Sequence, residues 1–543
     1  MSKNKTNFLV QGSILALAGI LVRVIGLLYR IPLNNILGNE GIAYYSNAYS
    51  VYSIFLLISS TSLPIAVSKI VSTRVAKKQY RNAKKAFIGA IIFGVIAGGI
   101  CSLIVFVGAD FFAGLWKYPS MAMALRVLAP TIFLVCLLGV LRGYFQGMGT
   151  MIPTALSQIF EQIANAIVSI VAASFLFSLG DKVGRGSEYS AAGGTMGTLI
   201  GALFALIFMF FVYLIYKPVM NKKIRKDRSR NTENYKGLSK VLIITIVPVL
   251  LSTTIYNLSS IIDSGLFGNV MSNIFHLEVS SYASLYGIYS GKYQLLTTAP
   301  IAIASALSSA IIPSLIRSLT NGNKGELVNK IESSIRLSMI IAIPCGVGIS
   351  TLAEPICMLL FPDDREMLAI CVNLMRFAVV TVVAYSLSTI TNSILQGIDK
   401  MSKPVINSSI SLGIHVVLVL LLLIVFKMDI LGVVVADFVF AICVCILNGF
   451  SIKRQLGYSQ EYYKTFLLPI VSSIVMAVLS MLTYKGVYML VRSNVVSLLC
   501  AVIVAVAVYA IMLIMLKAVD ETELYMMPKG NAIVKILKKI NLL

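Results

Sequence analysis

Apolar runs of roughly 20 residues follow one another along this chain, separated by short charged segments. A helix of that length rises about 30 Å, enough to cross the hydrocarbon core of a bilayer. Fourteen spans are expected, near residues 8–30, 43–67, 86–110, 123–145, 152–177, 191–216, 241–262, 282–312, 334–353, 368–396, 404–426, 431–451, 464–484 and 494–516. Hydrophobic residues make up 58% of the 543 positions and charged ones 12%, whereas soluble domains carry about 25% charged residues. The expected fold is therefore all-α, a polytopic membrane protein of 14 transmembrane helices with no separate soluble domain.

A net charge of +23 would suggest a nucleic-acid partner in a soluble protein. Here the orientation rule for membrane proteins accounts for it. With the N-terminus inside, 33 Lys and Arg residues fall in cytoplasmic regions and 7 in exterior loops, alternating loop by loop. Both termini are then cytoplasmic, and no nucleic-acid partner is expected. Lys3, Lys5 and the following apolar run resemble a signal peptide, but the pattern continues to Tyr29, as in an uncleaved first helix. Asn531–Leu543 is amphipathic and basic, suited to the inner leaflet and its lipids.

The longest cytoplasmic loop divides the chain into an N-lobe (1–216), a basic linker (217–240), a C-lobe (241–452) and a C-terminal part (453–543). The lobes look like copies. LPIAVSKIV at 63–71 resembles APIAIASAL at 299–307, an offset of 236. Arg126 and Gln146-Gly147 recur as Arg376 and Gln396-Gly397 at an offset of 250, and Pro153 and Pro404 follow. The change of offset fits an insertion around 320–327. An even number of helices separates the copies, so the repeat is parallel, with a substrate site expected between the halves. The architecture is thus two pseudo-symmetric six-helix lobes plus two further helices. Gly139, Gly143 and Gly147 have the small-xxx-small spacing of closely packed helices.

Ionisable residues inside a bilayer cost about 2.5–3.5 kcal/mol at the centre and mark function. Arg23 is roughly 22 Å above the inner end of the first span, and Arg30 is near its outer end. Lys292 is close to the midplane, within YGIYSGKYQLLTTAP, and has no obvious structural partner; Arg126 and Arg376 lie near outer ends. The acids are fewer: Glu161, Asp263 and Asp437, with His415 in mid-span. A cation pump needs carboxylates, whereas a surplus of guanidinium and ammonium groups suits phosphate or carboxylate. The expected substrate contacts are Arg23, Arg30 and Lys292, with Arg126 and Arg376 as gate or secondary contacts. Glu161 would orient a base, and Gln146 and Gln396 add polar lining. Asp263, Asp437 and His415 are candidates for ion coupling.

No nucleotide loop, metal cluster or nucleophile elbow is present, so the chain is read as a non-enzyme without cofactor. Its energy would come from a coupling ion (Na+ or H+) or from the membrane potential. The eight cysteines fall in apolar segments and read as small core residues.

Gly12-Ser13, RVIGLLYR at 23–30, LPIAVSKIVS at 63–72, LRGYFQGMGTMIPTALSQIFEQ at 141–162 and YGIYSGKYQLLTTAPIAIASAL at 286–307 carry a family likeness. The chain resembles the multidrug/oligosaccharidyl-lipid/polysaccharide exporter superfamily. Within it, the likeness is to the polysaccharide biosynthesis and stage V sporulation protein B branch, which includes MurJ-type lipid II flippases. The resemblance implies alternating access in a bacterial plasma membrane. It also implies a lipid-linked anionic oligosaccharide as substrate, with lipid II or another cell-wall glycan as cargo. A monomer is expected, with cell-wall synthases as candidate partners. A cation antiporter and a non-transporting scaffold are the rival readings. Tyr29 and Arg30 depart from the arginine and acid of Gram-negative relatives, and Tyr44 stands where they carry an acid.

Overall fold

The computed structural model describes residues 3–57, 63–227, 258–259 and 261–518. Most of the expected span 241–262, much of the basic linker and the amphipathic tail 531–543 lie outside the described residues. Every regular element among the described residues is helical, and eleven helices are long and apolar enough to cross a membrane. Large apolar side chains such as Leu103, Phe175, Phe211 and Leu490 stand exposed on them. In water such patches would aggregate, whereas lipid accepts them. The chain is an all-α polytopic membrane protein.

The chain divides into two compact units, Met1–Gly291 and Lys292–Leu543. In the first unit, α1 (Lys3–Leu56) holds both of the first two expected spans. They meet at Gly38, whose φ of 66° and ψ of 173° lie where a side chain is not tolerated. The second span was expected to run to residue 67. Instead a separate helix, α2 (Leu63–Ala76), carries Pro64 in its first turn, where a missing amide costs nothing. Next come α3 (Tyr80–Val107), a short α4 (Ala109–Trp116), α5 (Met121–Gly147), α6 (Ile152–Asp181) and α7 (Gly186–Arg225). Helix α8 (261–273) and α9 (Val279–Gly287) complete the unit. Val67, Val71, Phe87, Tyr144, Phe145 and Met209 form a core among α2, α3, α5 and α7. The glycine spacing on α5 serves this core. A Cβ on Gly147 would approach Val71 Cβ to 2.7 Å, and one on Gly143 would approach Pro64 O to 2.7 Å.

The helical run continues through a wide π-turn, Ile288–Tyr293, into α10 (Gln294–Thr320). The second unit adds α11 (Lys324–Thr351), the short α12 (Ala353–Leu360) and α13 (Arg365–Met375), then α14 (Ala378–Gly397). After these come α15 (Ser402–Leu420), α16 (Asp429–Leu456), α17 (Leu468–Val491) and α18 (Asn494–Met515). Leu315, Ile331, Met339, Val382, Ile390 and Ile394 form its main core. The single span expected at 368–396 is two helices. Ser350 takes up the backbone groups freed at the break: its hydroxyl accepts from Val379 N at 3.0 Å and donates to Met375 O at 3.2 Å.

The internal repeat reappears in the backbone. After α5, Met148 N bonds Tyr144 O, Gly149 N bonds Gln146 O, and Thr150 N bonds Phe145 O. After α14 the same three bonds join Ile398 to Ile394, Asp399 to Gln396 and Lys400 to Leu395, an offset of 250. At the start of the short outer helices, Gly108–Ile104 and Phe112–Gly108 match Leu352–Gly348 and Ile356–Leu352, an offset of 244. The insertion is therefore split across two places, not confined to 320–327.

Candidate functional site

In the first unit, Arg30 lies on α1 about two turns before the break at Gly38. Seven residues, or two turns, separate it from Arg23, so both stand on one helix face. Both are exposed. Arg30 nevertheless sits among Tyr29, Tyr45 and Tyr49, and it is hydrogen-bonded to Tyr29. The Tyr45 and Tyr49 rings meet at a tilt of 43° with centroids 4.7 Å apart, and the Tyr49 hydroxyl bonds Thr198. Arg30 is thus an exposed residue whose guanidinium has three tyrosines about it. Tyr29 holds the cation by a hydrogen bond that leaves its charge uncancelled.

Glu161 was expected to orient one of the interior bases. It does hold a base, but one that was not among the candidates: Arg142, at 2.6 Å, with Arg142 Nε also donating to Ser157 Oγ at 2.9 Å. Arg142 lies inside α5, five residues before its end. Gln146, on the last turn of the same helix, is half-buried, and Gln396 at the matching place on α14 is exposed. Arg126 pairs with Asp110 at 2.5 Å, and both side chains are exposed. Such a pair contributes at most about 1 kcal/mol and is easily exchanged. Asp263 on α8 is fully buried. A further carboxylate escaped the sequence reading. Glu40 accepts from Tyr44 OH at 2.5 Å and from Ser187 Oγ at 3.0 Å. An acid thus stands one helical turn from the position where Tyr44 replaces one.

Lys292 sits in the π-turn, 3% exposed. It is not without a partner, as the sequence suggested: its ammonium pairs with Asp363, on the loop between α12 and α13, whose side chain is 16% exposed. The ammonium also lies over the Phe361 ring, 5.6 Å from its centroid. The cause of the miss is distance along the chain. Asp363 lies in a loop 71 residues away, where hydropathy gives no sign of it. The turn is further fixed on its first-unit side, where Asn34 Nδ2 donates to Gly291 O at 2.5 Å. π-turns recur at functional positions because they displace a side chain from the helical ladder. Arg376 bonds Asn373 Oδ1 at 3.3 Å and borders a cavity of about 320 Å³ with Glu354, Tyr484 and Lys485. Arg376 and Lys292 therefore have different neighbours within this unit.

Also in the second unit, His415 and Asp437 are buried, with a ring nitrogen and a carboxylate oxygen within 4.8 Å. His415 Nδ1 lies 3.1 Å from Ala436 O, so the proton sits on Nδ1 in the neutral ring and Nε2 is left as the acceptor. Tyr385 OH donates to Asp437 at 3.2 Å. This combination can take up a proton or offer nitrogen and oxygen to a small cation. Further along α16, Asn448 bonds Asn392, Thr391 and Asn407 in an amide network.

The chain is similar to proteins of one kind. It is 27% identical over 479 residues to the lipid II flippase MurJ of Bacillus subtilis, covering 86% of this chain and 87% of that one. It is 23% identical to the stage V sporulation protein B of the same organism, over 96% of this chain and 98% of that protein. Among solved structures it resembles a lipid II flippase MurJ in an inward closed conformation, with a TM-score of 0.63, 15% identity, and 92% and 98% of the two chains covered. It also resembles an inward-facing multidrug resistance MATE transporter, with a TM-score of 0.64, 16% identity, and coverage of 80% and 94%. These neighbours are flippases and transporters, not enzymes. The MatE family matches residues 248–421. Residues 9–319, with Arg30, Glu161 and Lys292 among them, match the polysaccharide biosynthesis protein family, and the chain belongs to that family within the multidrug/oligosaccharidyl-lipid/polysaccharide exporter superfamily.

Proposed function

We propose that this protein flips an undecaprenyl-diphosphate-linked oligosaccharide, the peptidoglycan precursor lipid II, from the inner to the outer leaflet of the bacterial plasma membrane. It does so as a monomer by alternating access, with both termini in the cytoplasm and with the two pseudo-symmetric lobes rocking about a central path. The observation that carries this reading is Arg30, an exposed residue whose guanidinium is hydrogen-bonded to Tyr29 with Tyr45 and Tyr49 beside it. A diphosphate would meet it through charge-assisted, bidentate bonds, and Arg23 on the same face would extend the contact. Lys292 serves as a second cation whose counter-ion, Asp363, the diphosphate can replace. The flippase relative in Bacillus supports the lipid-linked cargo.

Outward movement of an anion is favoured by an inside-negative potential, by about 2.3 kcal/mol per charge per 100 mV. Return of the empty carrier draws on a proton or sodium ion taken up by Asp437 and His415, with Asp263 as a further acid. The test is the full chain in vesicles with a fluorescent lipid-linked disaccharide, under imposed potentials. Arg30→Ala should abolish movement, and Arg23→Ala should slow it. Normal flipping by Arg30→Ala would sink the site assignment. Export of organic cations in place of the lipid would establish the antiporter reading, and no movement of any cargo would leave the scaffold.

A further inference from the structure

Two of the eight cysteines do not behave as isolated core residues. Cys357 on α12 and Cys371 on α13 are both fully buried, and their sulfurs lie 3.2 Å apart. That is closer than two unbonded sulfurs normally pack, and one bond-length change short of a disulfide, which measures about 2.05 Å. They flank the loop that carries Phe361 and Asp363, the two residues that grip Lys292. The other residues of that loop, Pro362 and Asp364, are exposed.

We propose that Cys357 and Cys371 form a disulfide that closes a ring around this loop and holds Asp363 against Lys292. The inference rests on the exterior placement of the loop adopted above, since disulfides persist outside the cytoplasm and are reduced within it. The chemistry is an exchange with an exterior disulfide, either a protein oxidant or a small-molecule one. One thiolate attacks that disulfide, forming a mixed disulfide and releasing one thiol. The second cysteine, losing its proton, then attacks the bound sulfur and expels the other thiol. Two electrons and two protons leave the pair, and the oxidant becomes two thiols. The neighbouring Cys371 thiol and then burial raise the Cys357 thiol far above its usual pKa. In the closed fold Cys357 is a poor nucleophile, so the exchange belongs to the chain before α12 and α13 pack. Burial afterwards shields the bond from reductants.

The ring changes what the loop can do. Without the bond, Asp363 is held by α12 and α13 as separate short helices, and it can leave Lys292 whenever either frays. With the bond, it can leave only by turning within a fixed frame.

The test counts thiols in the full-length protein, both in intact cells and after oxidation of purified protein with dipyridyl disulfide. Free thiols are blocked with N-ethylmaleimide in sodium dodecyl sulfate, which exposes buried ones, the sample is reduced, and the newly released thiols are tagged with maleimide-polyethylene glycol. The expected result is a shift of two tags in both samples, lost in Cys357→Ser and in Cys371→Ser. Mass spectrometry of unreduced peptides should find 357 joined to 371. No shift in either sample, with Ser187→Cys labelled from outside in the same cells, would overturn the pairing. A shift in the purified protein alone, with Ser187→Cys labelled from outside in the same cells, would overturn the bond while leaving the orientation intact. The same partial shift with Ser187→Cys reachable only from the cytoplasm would remove the exterior loop, and the proposal with it. Because the serine variants change one atom each, their abundance in membranes provides the folding control.

Discussion

Lys292 and Asp363 offer a quantitative test of what a buried charge contributes here. Lys292→Met removes the ammonium and keeps the side-chain volume; Asp363→Asn removes the carboxylate and keeps its shape. Each single change strands the other charge, and breaking a buried pair costs about 3–5 kcal/mol. The two costs should differ. Asp363 keeps 16% of its side-chain surface exposed and can recover some hydration, while Lys292 keeps only 3%. Lys292→Met should therefore fall near the lower end of the range, about 3 kcal/mol, and Asp363→Asn nearer the upper end. The double variant should lose much less than the sum, because an apolar or neutral pair of similar volume is often as stable as the ions it replaces. Denaturation of the detergent-solubilised protein, followed by far-UV circular dichroism, measures the cycle. Transport in vesicles then separates structure from substrate contact: the double variant should regain stability but not flipping. If it regains both, Lys292 is a structural residue only. If either single variant unfolds at the wild-type midpoint, the pair holds no appreciable energy and the reasoning fails.

Glu461 tests an ion outside the spans. Burial would raise its carboxyl, but the Lys464 amide and the Thr465 hydroxyl and amide outweigh this and hold it below the usual carboxylate value. Its stabilisation is thus complete above the unfolded-state pKa and falls away as acid brings the pH down through the folded-state value. In melting curves against pH, Glu461→Gln should flatten that acid limb, and Glu461→Ala should cost about 1 kcal/mol at neutral pH as a lost cap. Gly147→Ala drives a methyl into Val71 and should cost about 1–3 kcal/mol by overpacking, read as a lower melting midpoint. Cysteines placed at Asn323 and Ser187 should label from the cytoplasm and the exterior respectively; the reverse would invert the charge-based orientation.

The spans were legible because lipid imposes a simple filter, apolar length. Thus α5, α6, α15 and α18 begin and end within a few residues of their expected bounds. The break between α13 and α14 was not legible, because Ser350, far away in sequence, supplies the bonds that make it cheap. The types of the site residues were visible as charges in apolar surroundings, but their partners were not. Hydropathy identifies Lys292 as unusual without saying that Asp363 meets it, and it gives no sign that Arg142 is the base that meets Glu161. The paired cysteines illustrate the same limit, since an apolar context describes a buried thiol and an about-to-bond thiol equally well.

The π-turn at Ile288–Tyr293 also acts as a register device. A wide turn stores one residue more than an α-helical turn. If it tightened, the helix on one side would advance by about 1.5 Å and swing by about 100° relative to the other. The boundary between the two compact units falls within this turn, between Gly291 and Lys292. A single backbone slip there would carry the ammonium from one helix face to the next while Asn34 kept hold of the carbonyl behind it. One stored residue would then gear a rotation to the release of a charge, with no flexible loop in between.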